Sequence, residues 1–276
     1  MRPAPYTFEE PTNLTQAFAN LKDGMPIAGG QNLMPALRMR QIDTPCLVSL
    51  EKIDAFSNDI LVTVDAIQIG ALTTIGELLN CAVIEKEVPW LHTAASKLGD
   101  TQVKNLATVV GNVCWSDPRA NMSIALLASR AEIKVVNEKR LERSVPIRDF
   151  FTGFQENCLN DELVGSILIP RNSGDAGVYD EFSRQPNDLA LVNVCVVSNQ
   201  EGVAAAIGGT CATPIVVTLE YTDNVRNNDS ILNRIISLLE NYADQFTTDQ
   251  FGSSGYKLEL ARVLLKRALA IVGEQL

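Results

Sequence analysis

Histidine is almost missing from this 276-residue chain, and basic residues are few. The single histidine, His92, follows Trp90 and Leu91 in a helical stretch and reads as a core or surface residue. With one histidine and no GxSxG, a Ser–His–Asp or Cys–His hydrolase is hard to build. The 23 Lys and Arg stand against 33 Asp and Glu, a net charge of −10, which lacks the electrostatic footprint of a nucleic-acid binder. Acidity does not exclude an anionic cofactor held by backbone amides, because such a site is local. The six cysteines, Cys46, Cys81, Cys114, Cys158, Cys195 and Cys211, show no CxxC or CxH spacing, so no zinc or iron–sulfur ligation is expected. They read as small core residues of a chain kept in a reducing, cytoplasmic compartment. No run approaches the roughly 18 apolar residues of a membrane span. The longest, Leu189 to Val197, has strand length and contains Asn193. Met1 to Phe8 carries one Arg and two prolines and no apolar h-region, so it is not expected to be a secretory leader.

What is present is a globular composition, 46% hydrophobic and 20% charged, with ample length for a core. The stretch organising the rest runs from Pro26 to Arg38: apolar residues, then Gly29-Gly30, two amides and Leu33-Met34-Pro35. Paired glycines allow a sharp turn with no Cβ in the way of a ligand. Several N–H groups can then face one concavity and hold a phosphate without lysine. On local grounds the same residues also make an ordinary loop. Around them, Leu14, Ala17, Phe18 and Leu21 have helical spacing after Pro11-Thr12, Met25 to Ala28 is a short strand, and Leu33 to Arg40 a helix. Leu47 to Leu50 reads as a strand and Ile60 to Ala71 as a hairpin around Asp65. Thr74 and Pro89 open helices. Gly111-Asn112 reads as a turn, Ser116-Asp117-Pro118 as the cap of a helix over Arg119 to Ser129, and Pro146 to Phe154 as a loop. Arg171 to Gly177 is polar and glycine-rich, a linker. Beyond it come three antiparallel strands, Val178 to Arg184, Leu189 to Ser198 and Val203 to Ile207, with a hairpin turn at Glu201-Gly202. The helices Ile231 to Tyr242 and Tyr256 to Val272 then cover one face.

Seven of these segments, in order from about residue 6 to 270, resemble one family. Ala28 to Pro35 is similar to the AGGxxLxP loop of the FAD-binding medium subunits of molybdenum hydroxylases, the xanthine, carbon monoxide and aldehyde or N-heterocycle dehydrogenases. Gly70 to Leu79 resembles their GAxTTxxEL element, and Gln102 to Asp117 their QxRNxGTxGGNxxxxDP element. Phe150 to Gly153 with Asp161-Glu162-Leu163, Tyr179 to Arg184, Ile207 to Thr210 with Thr213-Pro214, and Tyr256 to Arg267 resemble the family's remaining motifs.

The resemblance implies an α+β fold. Two α/β FAD-binding subdomains, residues 1–56 and 57–172, precede a C-terminal three-stranded antiparallel sheet with helices, 173–276. It implies that the backbone of Ala28, Gly29, Gly30, Gln31, Asn32 and Leu33 holds the FAD diphosphate. Thr74, Ala107, Thr108, Gly111 and Asn112 would line the flavin and ribityl side, Ser116 and Asp117 the adenosine end, and Leu163 and Glu181 the flavin ring. Taken alone, Thr74 and Asp117 are equally helix caps, and Leu163 a core leucine. No residue here is expected to act on the organic substrate. The implied oxidoreductase carries its molybdopterin cofactor on a large partner subunit and two [2Fe–2S] clusters on a small one, as a dimer of heterotrimers. Electrons would reach FAD on this chain and leave to an external acceptor. Ala107 and Val110 stand where the family has glycine, Glu181 where it has lysine, Ile75 where it has histidine and Asn121 where it has aspartate. These departures keep two other readings open: a scaffold subunit that has lost FAD, and a stand-alone flavin oxidoreductase.

Overall fold

A computed structural model describes residues 2–171, 175–185, 187–200, 202–221 and 228–275. The first fifty residues form β1 (Thr7–Glu9), α1 (Leu14–Leu21), β2 (Gly24–Ile27), α2 (Leu33–Arg38) and β3 (Cys46–Ser49). The sheet is parallel, in the order β1-β3-β2. Asn13 caps α1, its side chain accepting from the Gln16 N–H. Leu14, Ala17 and Phe18 are buried on one helical face.

The middle segment holds β4 (Ile60–Val62), β5 (Ala66–Gly70), α3 (Ile75–Leu79), α4 (Ala82–Glu87), α5 (Pro89–Ser96), α6 (Thr101–Leu106), α7 (Val109–Cys114) and α8 (Asn121–Ala128). It continues with β6 (Glu132–Asn137), β7 (Glu142–Pro146), β8 (Phe151–Gly153), β9 (Glu156–Asn157) and β10 (Glu162–Pro170). The antiparallel sheet β4-β5-β10-β6-β7 is centred on β10, where Ile167 stands between Ile69 and Ile133. Every residue of α8 is buried, Asn121 and Ser123 included, so this helix lies inside the molecule.

The last segment is a four-stranded antiparallel meander, β11 (Ala176–Phe182), β12 (Val192–Ser198), β13 (Gly202–Gly208) and β14 (Ile215–Glu220), followed by α9 (Asn228–Glu240) and α10 (Ser254–Gln275). The expected count of three strands is corrected to four. β14 is the edge strand IVVTLE, in which Ile215 and Val217 are buried and Thr218 and Glu220 exposed, and it pairs antiparallel with β13. On β12 and β13, alternate residues serve two cores. Val194, Val196, Ala205 and Ile207 pack on α9 and α10, whereas Cys195, Val197 and Ala206 join the core around α5 and α8. Two-sided burial explains why these strands read as unbroken apolar runs. At Gly177 a Cβ would stand 2.3 Å from the Trp90 ring, so glycine permits the close approach of β11 to α5.

Gly111 and Asn112 are not a turn but lie within α7. The helix after Pro118 starts at Asn121 with no side-chain cap. The Pro146 to Phe154 loop is a short 3₁₀ turn running into the β8–β9 hairpin. Of the expected linker, residues 172–174 lie outside the described residues, as does Glu201 of the expected hairpin turn. Arg171 is anchored: its Nε and Nη2 donate to the Glu87 carboxylate at 2.7 and 2.9 Å, and its N–H to Asp65 O.

Candidate cofactor cleft

β2 delivers the chain to the glycine loop, and α2 carries it away. At Gly29 a Cβ would lie 1.7 Å from Leu106 O, so the loop presses on the turn between α6 and α7. Gly30 has φ +67°, a left-handed conformation that costs glycine little. The Gln31 amide donates to Gly29 O at 3.0 Å and stiffens the bend. The first helical bond runs from Met34 N–H to Gly30 O. Among the described residues, the N–H groups of Gly29, Gly30, Gln31, Asn32 and Leu33 have no protein partner. Five consecutive donors in one bend form a cradle for an anion.

Across the cleft, Thr108 caps α7, its Oγ1 accepting from Gly111 N–H at 3.0 Å. A Cβ at Gly111 would crowd that oxygen at 2.6 Å. Two backbone bonds, Ile75 N–H to Ala107 O and Val109 N–H to Thr73 O, lock the turns before α3 and α7 together. Asn112 Oδ1 accepts from Met122 N–H, tying α7 to α8. Trp115, Leu159, Leu163 and Val164 supply an apolar wall, and the cleft encloses about 280 Å³.

Ala28, Gly29, Gly30, Gln31, Asn32 and Leu33 thus meet Ala107, Thr108, Gly111, Asn112 and Leu163 around one cavity. The glycine-to-valine and glycine-to-alanine departures add little obstruction. Val110 and Ala107 line the cleft but are 6% and 9% exposed, their bulk absorbed by the central core.

Four expected residues do not line this cleft, and each has another engagement. Thr74 heads a capping box with Glu77, its hydroxyl and N–H both donating to that carboxylate. Burial raises the Glu77 pKa, but the bonds from Thr74 and Asn58 outweigh it and leave the group below its usual range. Ser116 is buried at φ +55°, its hydroxyl turned to the carbonyls of Val113 and Cys114. Asp117 gives one carboxylate oxygen to the Arg119 N–H and Nε and the other to Nη2. Glu181 sits where β11 meets α5 and α8, accepting from Tyr179 OH at 2.8 Å and Asn121 Nδ2 at 3.2 Å. Desolvation pushes its carboxyl pKa up.

Glu162 lines the cleft beside Leu163, although the motif reading gave it no role. Among the described residues it is the only lining residue with a charged side chain. Burial raises the thiol of Cys114, also in the lining, to about 12, which leaves that group neutral. Among the described residues no lysine or arginine lines the cavity, so an anion bound there is held by neutral donors. Alternation along the strand sets residue 162 on the face opposite Leu163, so no local signal pointed to Glu162.

A family model described as the FAD-binding domain in molybdopterin dehydrogenase matches residues 4–172. The chain is 29% identical over 280 residues to the glyceraldehyde dehydrogenase medium chain of Sulfolobus acidocaldarius, covering 97% of this chain and 98% of that one. It is 25% identical to the carbon monoxide dehydrogenase medium chain of Afipia carboxidovorans, over 98% of this chain and 97% of its relative. Among solved structures, a chain of reconstituted CO dehydrogenase from Oligotropha carboxidovorans superposes with a TM-score of 0.89 at 23% identity, with full coverage of both chains. Quinoline 2-oxidoreductase from Pseudomonas putida 86 gives 0.84 at 22% identity, over 99% of each chain. At these identities the structural likeness speaks for the fold, which is the α+β architecture expected.

Proposed function

The chain belongs to the family of FAD-binding domains in molybdopterin dehydrogenases, and from that premise we propose that it is the electron-transferring FAD subunit of a heteromeric molybdenum hydroxylase. The observation that carries this reading is the row of unpaired N–H groups from Gly29 to Leu33, whose residues line one cavity with the Thr108-capped end of α7. These donors would hold the diphosphate. Thr108, Gly111 and Asn112 would meet the ribityl chain, and Leu163 and Val164 would exclude water from the ring. Bound flavin supplies the redox chemistry, accepting electrons and releasing them to an acceptor. The protein's own side chains bind and orient, and none acts on the organic substrate.

In this reading the molybdopterin cofactor and the [2Fe–2S] clusters belong to a large and a small partner, joined as a dimer of heterotrimers. Medium chains and medium subunits among the relatives support a multisubunit setting. We place subdomain boundaries at 1–56, 57–172 and 173–276, which follow the three successive large sheets. A cytoplasmic location fits six free cysteines. Among the described residues no helix is long and apolar enough to cross a membrane.

The full chain, purified from a flavin-replete host, is expected to be yellow and to release FAD on denaturation. Colourless protein that takes up no FAD on titration would overturn the proposal. If that colourless chain still co-purified with two larger and smaller partners, the scaffold reading would replace it. Turnover of a small substrate by the isolated chain would favour a stand-alone flavin oxidoreductase.

A further inference from the structure

Glu162 takes no part in cradling a diphosphate, yet it lines a cleft that has no lysine or arginine in its wall among the described residues. Its side chain is 12% exposed and is gripped from one side. Arg143 of β7 reaches across β6, its Nε donating to Oε1 at 2.8 Å and its Nη2 to Oε2 at 2.6 Å. Arg143 does not line the cleft and is 47% exposed, so water screens the guanidinium more than the carboxylate. Among the described residues Glu162 is the one lining residue with a charged side chain, while the glycine loop offers N–H donors.

We infer that Glu162 is a potential-setting residue of the cofactor cleft: a carboxylate locked by Arg143 that opposes the charge a flavin ring gains on reduction and steers the anionic diphosphate to the glycine loop. The inference rests on the FAD reading above. Charge near the ring is one of the few levers a protein has on a flavin's electronics. If the pair merely tied β10 to β7, cutting it from either side would have the same effect. An electrostatic role makes the two cuts opposite in sign. Glu162→Gln removes the negative charge and leaves the guanidinium, whereas Arg143→Gln strips the carboxylate of its screen.

The test uses the full chain loaded with FAD. Absorption first gives FAD per chain, and equilibration with redox dyes then gives the midpoint potential. Glu162→Gln should raise the potential, so that reduced FAD binds several-fold more tightly relative to oxidised FAD than in the parent. Arg143→Gln should lower it, and Arg143→Lys, which keeps the cation, should stay near the parent value. Shifts in the same direction for both glutamine variants, or no shift in either, would overturn the inference. Should the parent chain itself take up no FAD, the FAD reading fails and this inference falls with it, an outcome seen in the spectrum before any potential is measured. If one glutamine variant fails to fold, Arg143→Lys and the other still decide the sign.

Discussion

Gly29 carries two demands at one position: the bend that aligns five donors and the contact with Leu106. The obstacle to a side chain there is a carbonyl oxygen 1.7 Å from the Cβ, backbone that cannot rotate away. Gly29→Ala must therefore shift the loop from α6, at about 1–3 kcal/mol for an overpacked contact. We expect a lower melting temperature and at least a tenfold loss of FAD affinity, since the donors move together (~1.4 kcal/mol per tenfold). A variant with parental flavin content and melting temperature would show that the bend is not what binds. Glu181 and Asn121, two departures from the family pattern, touch each other, the Asn121 amide donating to the Glu181 carboxylate at 3.2 Å. An aspartate at 121 would set two carboxylates together, and a lysine at 181 would face an amide already donating to Ala94 O. Glu181→Lys and Asn121→Asp should each cost about 1–3 kcal/mol, and the double variant should recover most of it. Additive losses in urea unfolding would refute the exchange. The pH dependence has a definite sign. Burial holds the Glu181 carboxyl above its ordinary 4.5, so above that pH the folded state binds more protons than the unfolded one. Its contribution is whole below 4.5 and is lost as pH climbs through the raised value. Glu181→Gln should flatten that fall in unfolding free energy, and parallel curves for parent and variant would refute it.

Short elements around the cleft are set by their caps more than by propensity. α3 has five residues, too few to stand alone, and its start is fixed by the Thr74–Glu77 box and the bridge to Thr108. Thr74→Ala should cost about 1 kcal/mol for the lost cap. It should also loosen the turn before α7, which hydrogen exchange at Ile75 and Val109 would report as faster than in the parent. The same logic explains which parts of the chain are legible. The glycine loop, the Asp65 hairpin and the Thr74 cap announce themselves through local chemistry, and the structure has all three. Gly111-Asn112 misleads, because both residues disfavour helix on their own. Burial of Val109, Val110 and Val113 and the Thr108 cap override that preference. Asp117 has a cap's chemistry, but an arginine two residues on offers a stronger bidentate partner than a free helix N–H. Glu162 was inside a recognised motif, yet its position in the cleft depends on where β10 lies, which is not local information.

At the scale of the molecule, α8 decides how the parts behave together. All eight of its residues are buried, and it packs on α5 and α7 from one side and on β12 and β13 from the other. The C-terminal sheet therefore lacks a free inner face, because Cys195, Val197 and Ala206 belong to the same core as Ile67 and Ile133. Separating the sheet from residues 57–172 would expose that shared surface and strip Trp90 from Gly177. Exposing apolar area costs about 25 cal/mol per Å², so an interface of this kind favours joint unfolding. We expect calorimetry of the full chain to show one transition, despite a length at which independent domains are common. A cofactor that binds only the folded chain raises the free energy of the whole transition, by about 2.7 kcal/mol at a hundredfold excess over Kd. FAD should thus move the single peak upward as a unit. Two resolved peaks, with FAD moving only one, would mean that α8 leaves with one side and that the boundary near residue 172 separates independent folding units.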